Sequence, residues 1–328
     1  MGIEIRGIKQ DDFQSIYDLY AGNKTIDLHK WLYAYPNSED YNGYAAIMDG
    51  KICGLIGFTK TEYNVGGEIA IGVVPHSFLV DEKQRGIAGL KLLNKVFSDA
   101  DFYMYVDGTE MSQKIFQVMR FTTIGSAVGA SKSYRLNINF NKKTLNGYAN
   151  MFNDNWRIIK SWFAAKAIDF EVVEGEASEQ ELVSGVFNNM LSHRHLNWLR
   201  KNPLYQVKVL TVKLDTGKSE TFVCCLHKNK SKMKCQITHH SPLLYDNSTL
   251  IRILGSLERY LVKNYQIYHT NVLVSSDRLR STFSALGYHF EKKQRPIGLK
   301  SKNGFEEKIK NLENVLCFSE CDESTRNI

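Results

Sequence analysis

The residues best able to do chemistry lie between positions 76 and 112. Gly86, Ala88 and Gly89 are small enough to let a ligand approach the backbone closely, and Lys83 and Arg85 place cationic donors beside them. They stand where a charged turn meets a helical pattern. The first turn of a helix carries unpaired N–H groups and a partial positive charge, which together favour a phosphate. That combination is a generic anion cradle, and an ordinary strand-to-helix connection has the same outline. His76 precedes it. An imidazole titrates near neutrality and suits removal of a proton from an ammonium, directly or through water. On a regular strand His76 and Phe78 share one face. Asp107 is a second candidate base and Glu68 a weaker third. Each has a plainer reading: a half-buried strand histidine, a cap ahead of Gly108-Thr109, and the close of a Gly66-Gly67 turn. His239 and His240 raise the question of a metal. Adjacent strand residues point to opposite faces and no third ligand has fitting spacing, so no metal is expected.

These groups need a strand, a tight turn and a helix to hold them. Phe78, Leu79 and Val80 read as the end of a buried strand, Asp81 to Gly86 as the turn. From Ile87 the pattern is helical, with Ile87, Leu90, Leu92, Leu93, Val96 and Phe97 on one apolar face. Upstream, Ile3 to Ile8 alternates as a strand and Asp11-Asp12 caps a helix. A second helical piece ends at Pro36, and a hairpin turns at Asp49-Gly50. Downstream come a strand from Phe102 to Val106, a helix from Met111 to Met119, and a closing strand from Ser131 to Phe140. The pattern then restarts. Ser178-Glu-Gln-Glu181 is a capping box opening a helix to Leu191. Strands are expected over 207–213, 221–226, 233–239 and 270–274, helices over 251–262 and 279–286, and a last strand near Val315 to Ser319. Trp31 and Pro36 lie 167 residues before Trp198 and Pro203, and Arg120-Phe121 the same distance before Gly287-Tyr288. One offset at both ends argues for duplication. The second copy has Asn-Ser-Thr-Leu where the first has its glycines, so one cradle is expected.

The run Lys83-Gln-Arg-Gly86-Ile-Ala88 resembles the [Q/R]-x-x-G-x-[G/A] pyrophosphate loop of GNAT-fold acyl-CoA N-acyltransferases. Lys83 departs from the usual Gln or Arg, exchanging a fork of donors for a point charge. The element order of residues 1–140 is similar to that fold. The resemblance implies an α/β (α+β) architecture of two tandem GNAT-like domains, each a mixed, mostly antiparallel sheet flanked by helices. Residues 1–144 would carry the acyl-CoA site, 145–168 form an aromatic, amphipathic connecting helix, and 169–328 form the cradle-less second domain. It implies that Lys83, Gln84, Arg85, Gly86, Ile87, Ala88 and Gly89 hold the coenzyme A pyrophosphate. Phe78, Leu79 and Val80 would bond the pantetheine and supply the oxyanion donor, where a bulge would re-aim an amide. Thr109 and Ser112 would line the same coenzyme. Phe116 stands where the family often has a tyrosine to protonate the leaving thiolate. A thiol of ordinary acidity can leave unassisted. The tandem layout resembles acyltransferases of surface-polysaccharide gene clusters, which implies transfer to the amine of a nucleotide-linked amino sugar. Ser77, His239, His240, Tyr245 and Asp322 would then face the acceptor. Two other readings stay open: a non-catalytic acyl-CoA-binding scaffold, and an aminoacyl-tRNA-dependent transferase that builds peptidoglycan bridges.

Composition agrees with a two-domain globular enzyme of 328 residues. No apolar run reaches the roughly 18 residues of a membrane span. Six cysteines show no C-x-x-C spacing, which fits buried thiols in a reduced, cytoplasmic protein. The net charge of +7 falls entirely in residues 151–328. That surplus suits a nucleotide diphosphate, or simply a solvated face. No aromatic–basic interleaving points to nucleic acid. A homodimer is compatible with the sequence.

Overall fold

The computed structural model describes residues 2–20, 25–34, 41–98, 100–134, 170–175, 180–229, 232–302 and 304–316. The first half runs β1 (Glu4–Gly7), α1 (Phe13–Leu19), α2 (Ile26–Tyr33), β2 (Gly43–Met48), β3 (Lys51–Val65), β4 (Glu68–Val80), α3 (Arg85–Val96), β5 (Phe102–Val106), α4 (Glu110–Val118) and β6 (Thr122–Ser133). The second runs β7 (Glu171–Glu174), β8 (Val186–Asn189), α5 (His193–Arg200), β9 (Gln206–Lys213), β10 (Ser219–Asn229), β11 (Lys232–His240), α6 (Asn247–Tyr265), β12 (Ile267–Val274), α7 (Asp277–Ala285), β13 (His289–Ser301), α8 (Phe305–Lys310) and β14 (Glu313–Asn314). They form one mixed sheet in the order β1-β2-β3-β4-β5-β13-β6-β12-β11-β10-β9-β7, with β8 pairing β3 and β14.

The duplication is visible in detail. The Trp31 and Trp198 rings stack at 4.4 Å and 7°, and each indole N–H donates to the other's carbonyl at 2.8 Å. Such reciprocity is what a two-fold relation between the halves produces. Helices α4 and α7 end alike: Phe121 N bonds Phe116 O at 3.0 Å, and Tyr288 N bonds Phe283 O at 2.9 Å. Arg120 and Gly287 both take positive φ there, 62° and 84°, the left-handed turn that stops a helix. The halves also exchange strands. β13 inserts between β5 and β6, and β6 reaches across to pair antiparallel with β12. Buried Lys132 on β6 pairs with Glu258 on α6 at 2.6 Å, so the crossing strand is tied into the other half's core.

Several sequence expectations change here. The helix expected over 178–191 is not formed in its described part, where β8 stands instead. Gly185 takes φ 76°, and the Asn188 side chain is drawn into a bond with Asn64 at 3.0 Å. The closing strand of the first half spans 122–133, earlier than expected. In the second half that role belongs to β13; of the expected last strand near Val315 to Ser319, residues 317–319 lie outside the described residues, and just before it Glu313 and Asn314 pair with β8. Pro296 and the charged 291–295 stretch hide β13 from period-2 reading, and its pairing with β6 skips register there. On α3, Ala88, Leu92, Leu93 and Val96 face the core, while Ile87 and Leu90 are 66% and 46% exposed. A small residue at 88 lets the helix sit close, and that turns Ile87 outward. The connecting helix expected over 145–168 lies outside the described residues. Cys53, Cys224, Cys225 and Cys235 are buried free thiols, as expected.

Candidate active site

The site is organised by what β4 does after Val73. Up to there it pairs parallel with β5, through Gly72↔Phe102 and Val73↔Tyr103. Beyond, the two strands splay, and that edge of β4 has no strand partner among the described residues. Its other edge stays zipped to β3 as far as Val80↔Gly54. Backbone amides and carbonyls on an open inner edge can bond an extended ligand as a strand would.

Within the open stretch lies a β-bulge. Gly57 faces His76 and Leu55 faces Leu79, so Ser77 and Phe78 together oppose one residue of β3. Ser77 adopts φ 51°, a conformation costly for a side chain and typical of functional strain. The Tyr20 hydroxyl donates to the Ser77 carbonyl at 3.0 Å and helps hold it. The bulge reverses one expectation: His76 and Phe78 do not share a face. Phe78 packs towards α3, where a Cβ on Gly89 would lie 3.3 Å from its Cζ. His76, 5% exposed, lies on the α1–α2 side, its ring 6.0 Å from that of Tyr33 and its Nδ1 3.2 Å from Ser77 Oγ. Gly57 is required beneath it, since a Cβ there would sit 2.4 Å from His76 Cε1. The Tyr20 and His29 rings lie nearby, 4.7 Å apart and tilted by 31°. Sequence reading missed Tyr20, His29 and Tyr33, because they come from helices distant in the chain.

At the strand's end the turn folds as a short 3-10 segment over Glu82–Gln84. Asp81 holds it, accepting the Lys83 N–H on its side chain and the Gln84 N–H on its carbonyl, both at 2.9 Å. Gln84 stands at the N-cap of α3 without a side-chain bond to the helix, so the first turn is not closed by its own cap. Gly86 is exposed and nothing lies within 4 Å of where its Cβ would be. Lys83 and Ile87 are exposed beside it. The cradle therefore has room on its outer side and unspent donors. A coenzyme A pyrophosphate fits that chemistry.

The candidates on β5 and α4 fare differently. Asp107, 3% exposed with φ 64°, accepts Lys293 Nζ on both oxygens, at 2.9 and 2.8 Å. Its N–H donates to the Pro296 carbonyl. It ties β13 to the end of β5, with both carboxylate oxygens engaged by Lys293. Thr109 caps α4, accepting the Ser112 N–H at 3.2 Å. Glu68 is in a surface pair with Lys308. Phe116 is buried, stacked on Tyr105 at 4.2 Å and 7°. Tyr105 lies on the α3 face beside the splay, and its hydroxyl bonds no described residue. Burial pushes its phenol up, which keeps the proton on.

The second half shows these features less. β11 and β12 stay paired through Ile237↔Val272, which leaves only Thr238–His240 of β11 beyond the ladder, against Val74–Val80 of β4. Where α3 is uncapped, α6 has its own anion: the Asp246 carboxylate accepts the Ser248 and Thr249 N–H groups at 2.9 and 3.1 Å. Bonds from the Ser248 and Thr249 side chains and backbone hold it well below the usual carboxylate range. The proposed acceptor histidines are buried and turned inward. His239 Nε2 accepts from Gln180 at 2.7 Å, and His240 Nδ1 donates to the Ser241 carbonyl at 2.6 Å. Gln180 must donate, since its oxygen already accepts the Leu191 N–H. Burial lowers both imidazoles, so neither carries charge at neutral pH to attract a phosphate. Tyr245 is partly buried against the core of the second half, and its hydroxyl is bonded to Glu220. Asp322 lies outside the described residues. Among the described residues no group of three or more His, Cys, Asp or Glu could hold a metal, and no helix is long and apolar enough to cross a membrane.

No protein-family model matches this chain, and no curated protein matches it by sequence. Solved structures do. A GCN5-related N-acetyltransferase from Anabaena variabilis superposes with a TM-score of 0.60 at 9% identity, covering 92% of this chain and 73% of that one. N-myristoyltransferase from Saccharomyces cerevisiae, with bound myristoyl-CoA and inhibitors, gives 0.57 at 12% identity, covering 95% and 86%. A protein of unknown function from Enterococcus faecalis, described as a probable N-acyltransferase, gives 0.57 at 7%, covering 92% and 73%. At these identities the likeness establishes the fold: a mixed α/β chain with a large mixed sheet flanked by helices, as in GNAT-type structures.

Proposed function

We propose that this chain is an acyl-CoA-dependent N-acyltransferase, with residues 1–144 as the catalytic domain and 169–328 as its acceptor-side partner. The splay of β4 from β5, opening beside an uncapped helix start, carries this reading. A pyrophosphate would sit on the first turn of α3 over Gly86, and pantetheine would complete the open edge of β4. The bulge at Ser77–Phe78 breaks the ladder at the point where a thioester oxygen needs a backbone donor. His76, on the opposite face, is placed to take the proton of an amine arriving from the α1–α2 side, with Tyr20 and Tyr33 around it. Tyr105, beside Phe116, is the hydroxyl available to protonate the leaving thiolate.

For the acceptor we carry forward the amine of a nucleotide-linked amino sugar. It rests on the sequence resemblance and on the basic balance of the second half. His239, His240 and Tyr245 give it no support, because they are engaged within the protein. The cytoplasm, where such precursors and acyl-CoA meet, is the matching compartment.

The test is coenzyme binding and thiol release. Gly86→Phe fills open space and should leave the melting temperature near that of the parent, while coenzyme A affinity falls by about 100-fold or more through a blocked backbone approach. Unchanged affinity overturns the reading. Thiol release from acetyl-CoA and longer thioesters across a panel of nucleotide amino sugars then identifies the acceptor. Binding without turnover on any amine would favour the scaffold instead.

A further inference from the structure

A second pocket lies in the other half of the molecule. It has a volume of about 720 Å3 and forms between the 180–184 segment, the start of β10 and the turn from β11 into α6. β4 and β11 run antiparallel in the sheet, so this pocket and the coenzyme cradle belong to opposite ends of it. Nothing in the acyl-transfer reading uses it.

Its wall holds a buried carboxyl without an ion-pair partner among the described residues. Glu220 is 8% exposed and lines the pocket. One of its oxygens, Oε1, accepts the Tyr245 hydroxyl. No Lys or Arg forms an ion pair with it among the described residues; Lys218, which also lines the pocket, acts on it through charge alone. Around it the lining is partly apolar: Leu243 is buried, and Leu182 and Leu244 stand 43% and 42% exposed. An isolated buried carboxylate is costly, and it becomes favourable when a cation completes the site.

We propose that this pocket binds an organic ammonium ion, a protonated primary amine on a short apolar body, with Glu220 as its counter-ion. A compact ammonium matches what is offered. A guanidinium would ask for both carboxylate oxygens in a fork, and Tyr245 already holds one. A metal would need further acidic or imidazole ligands, which the described residues do not group here. The leucines accept the apolar body. Glu181 adds a second negative charge to the rim, and Arg278 faces away, donating to the Leu243 and Tyr245 carbonyls at 2.8 and 2.9 Å. Burial raises the Glu220 carboxyl, so proton and ammonium compete for it. Binding is therefore present at neutral pH and is lost as pH falls towards and through the ordinary glutamate range.

The experiment uses the full chain without coenzyme, so its result is independent of the acyltransferase reading. The Leu182, Leu243 and Leu244 methyl signals are followed while n-butylammonium chloride is added, with 1-butanol and sodium chloride as controls. The expected result is saturable shifts with butylammonium, about 10-fold or more weaker binding of butanol, and a similar loss in Glu220→Gln. In the parent protein, affinity should fall on acidification, which tests the charge without any substitution. Equal binding of butanol and butylammonium, pH-independent affinity, undiminished binding to Glu220→Gln, or no saturable shift at all overturns the proposal.

Discussion

At the scale of single residues, two aromatic side chains carry the proposed route for the leaving thiolate. Phe116 removes a proton donor from α4, and Tyr105 restores a hydroxyl next to it from β5. Tyr105→Phe keeps the ring and its stack on Phe116. It should leave coenzyme affinity unchanged and slow thiol release by about 10- to 100-fold, the usual range for losing a general acid. Equal rates in both proteins across pH would mean the thiolate departs unaided. His195 is a structural counterpart. It is 5% exposed, and burial lowers its imidazole to about 4 from an ordinary 6.5. The unfolded chain therefore binds a proton at a pH where the folded one does not. The stability tied to the neutral ring is whole above pH 6.5 and is lost as pH falls from there towards 4, by about 3 kcal/mol at full effect. His195→Asn should flatten the drop in melting temperature between pH 7 and pH 5. An unchanged slope would assign the acid sensitivity elsewhere, His239 being the next group with a lowered imidazole.

At the scale of elements, the strand end of β4 and the helix start of α3 act together. The bulge depends on Ser77 holding φ 51°. Ser77→Gly should be tolerated or slightly stabilising, because glycine enters that region without penalty. Ser77→Val should cost about 1–2 kcal/mol, since a β-branched residue resists it. It should also lower turnover more than coenzyme affinity, because the cradle is untouched while the re-aimed amide is lost. Denaturant midpoints and thiol-release rates on the same samples check both parts, and a valine variant as active as the parent would detach the bulge from catalysis. The two helix starts differ in the way the proposed single coenzyme site requires: α3 begins without a side-chain cap, and α6 begins on the Asp246 carboxylate.

Across the whole molecule, the described strands and side chains of the two halves interlock. β6 and β13 cross between them, and Trp31 with Trp198 joins α2 to α5. Both indoles are nearly buried, at 4% and 3% exposed. Trp31→Ala and Trp198→Ala should each cost about 3–5 kcal/mol. The double variant should cost clearly less than their sum, because the ring stack vanishes with the first change, while each indole's hydrogen bond runs to the partner's backbone carbonyl and outlasts the partner's side chain. Additive losses in a double-mutant cycle would show that the pair contributes only as separate core residues.

Local information in the chain determined a good part of this. Glycine spacing after a buried strand marked the cradle, and the 167-residue offset of Trp31 and Trp198, legible from residue types alone, marked the duplication. Both are contiguous or periodic patterns, the kind a single sequence carries. Tertiary structure decided the rest. Which face His76 takes depends on one extra residue in β4, a register question that only the pairing with β3 answers. Whether Asp107 is a base or an anchor depends on Lys293, 186 positions away on a strand that belongs to the other half. β13 itself was hidden, since a charged, proline-containing segment becomes a strand only where two neighbours await it. Chemistry set by neighbours in space has no signature along the chain.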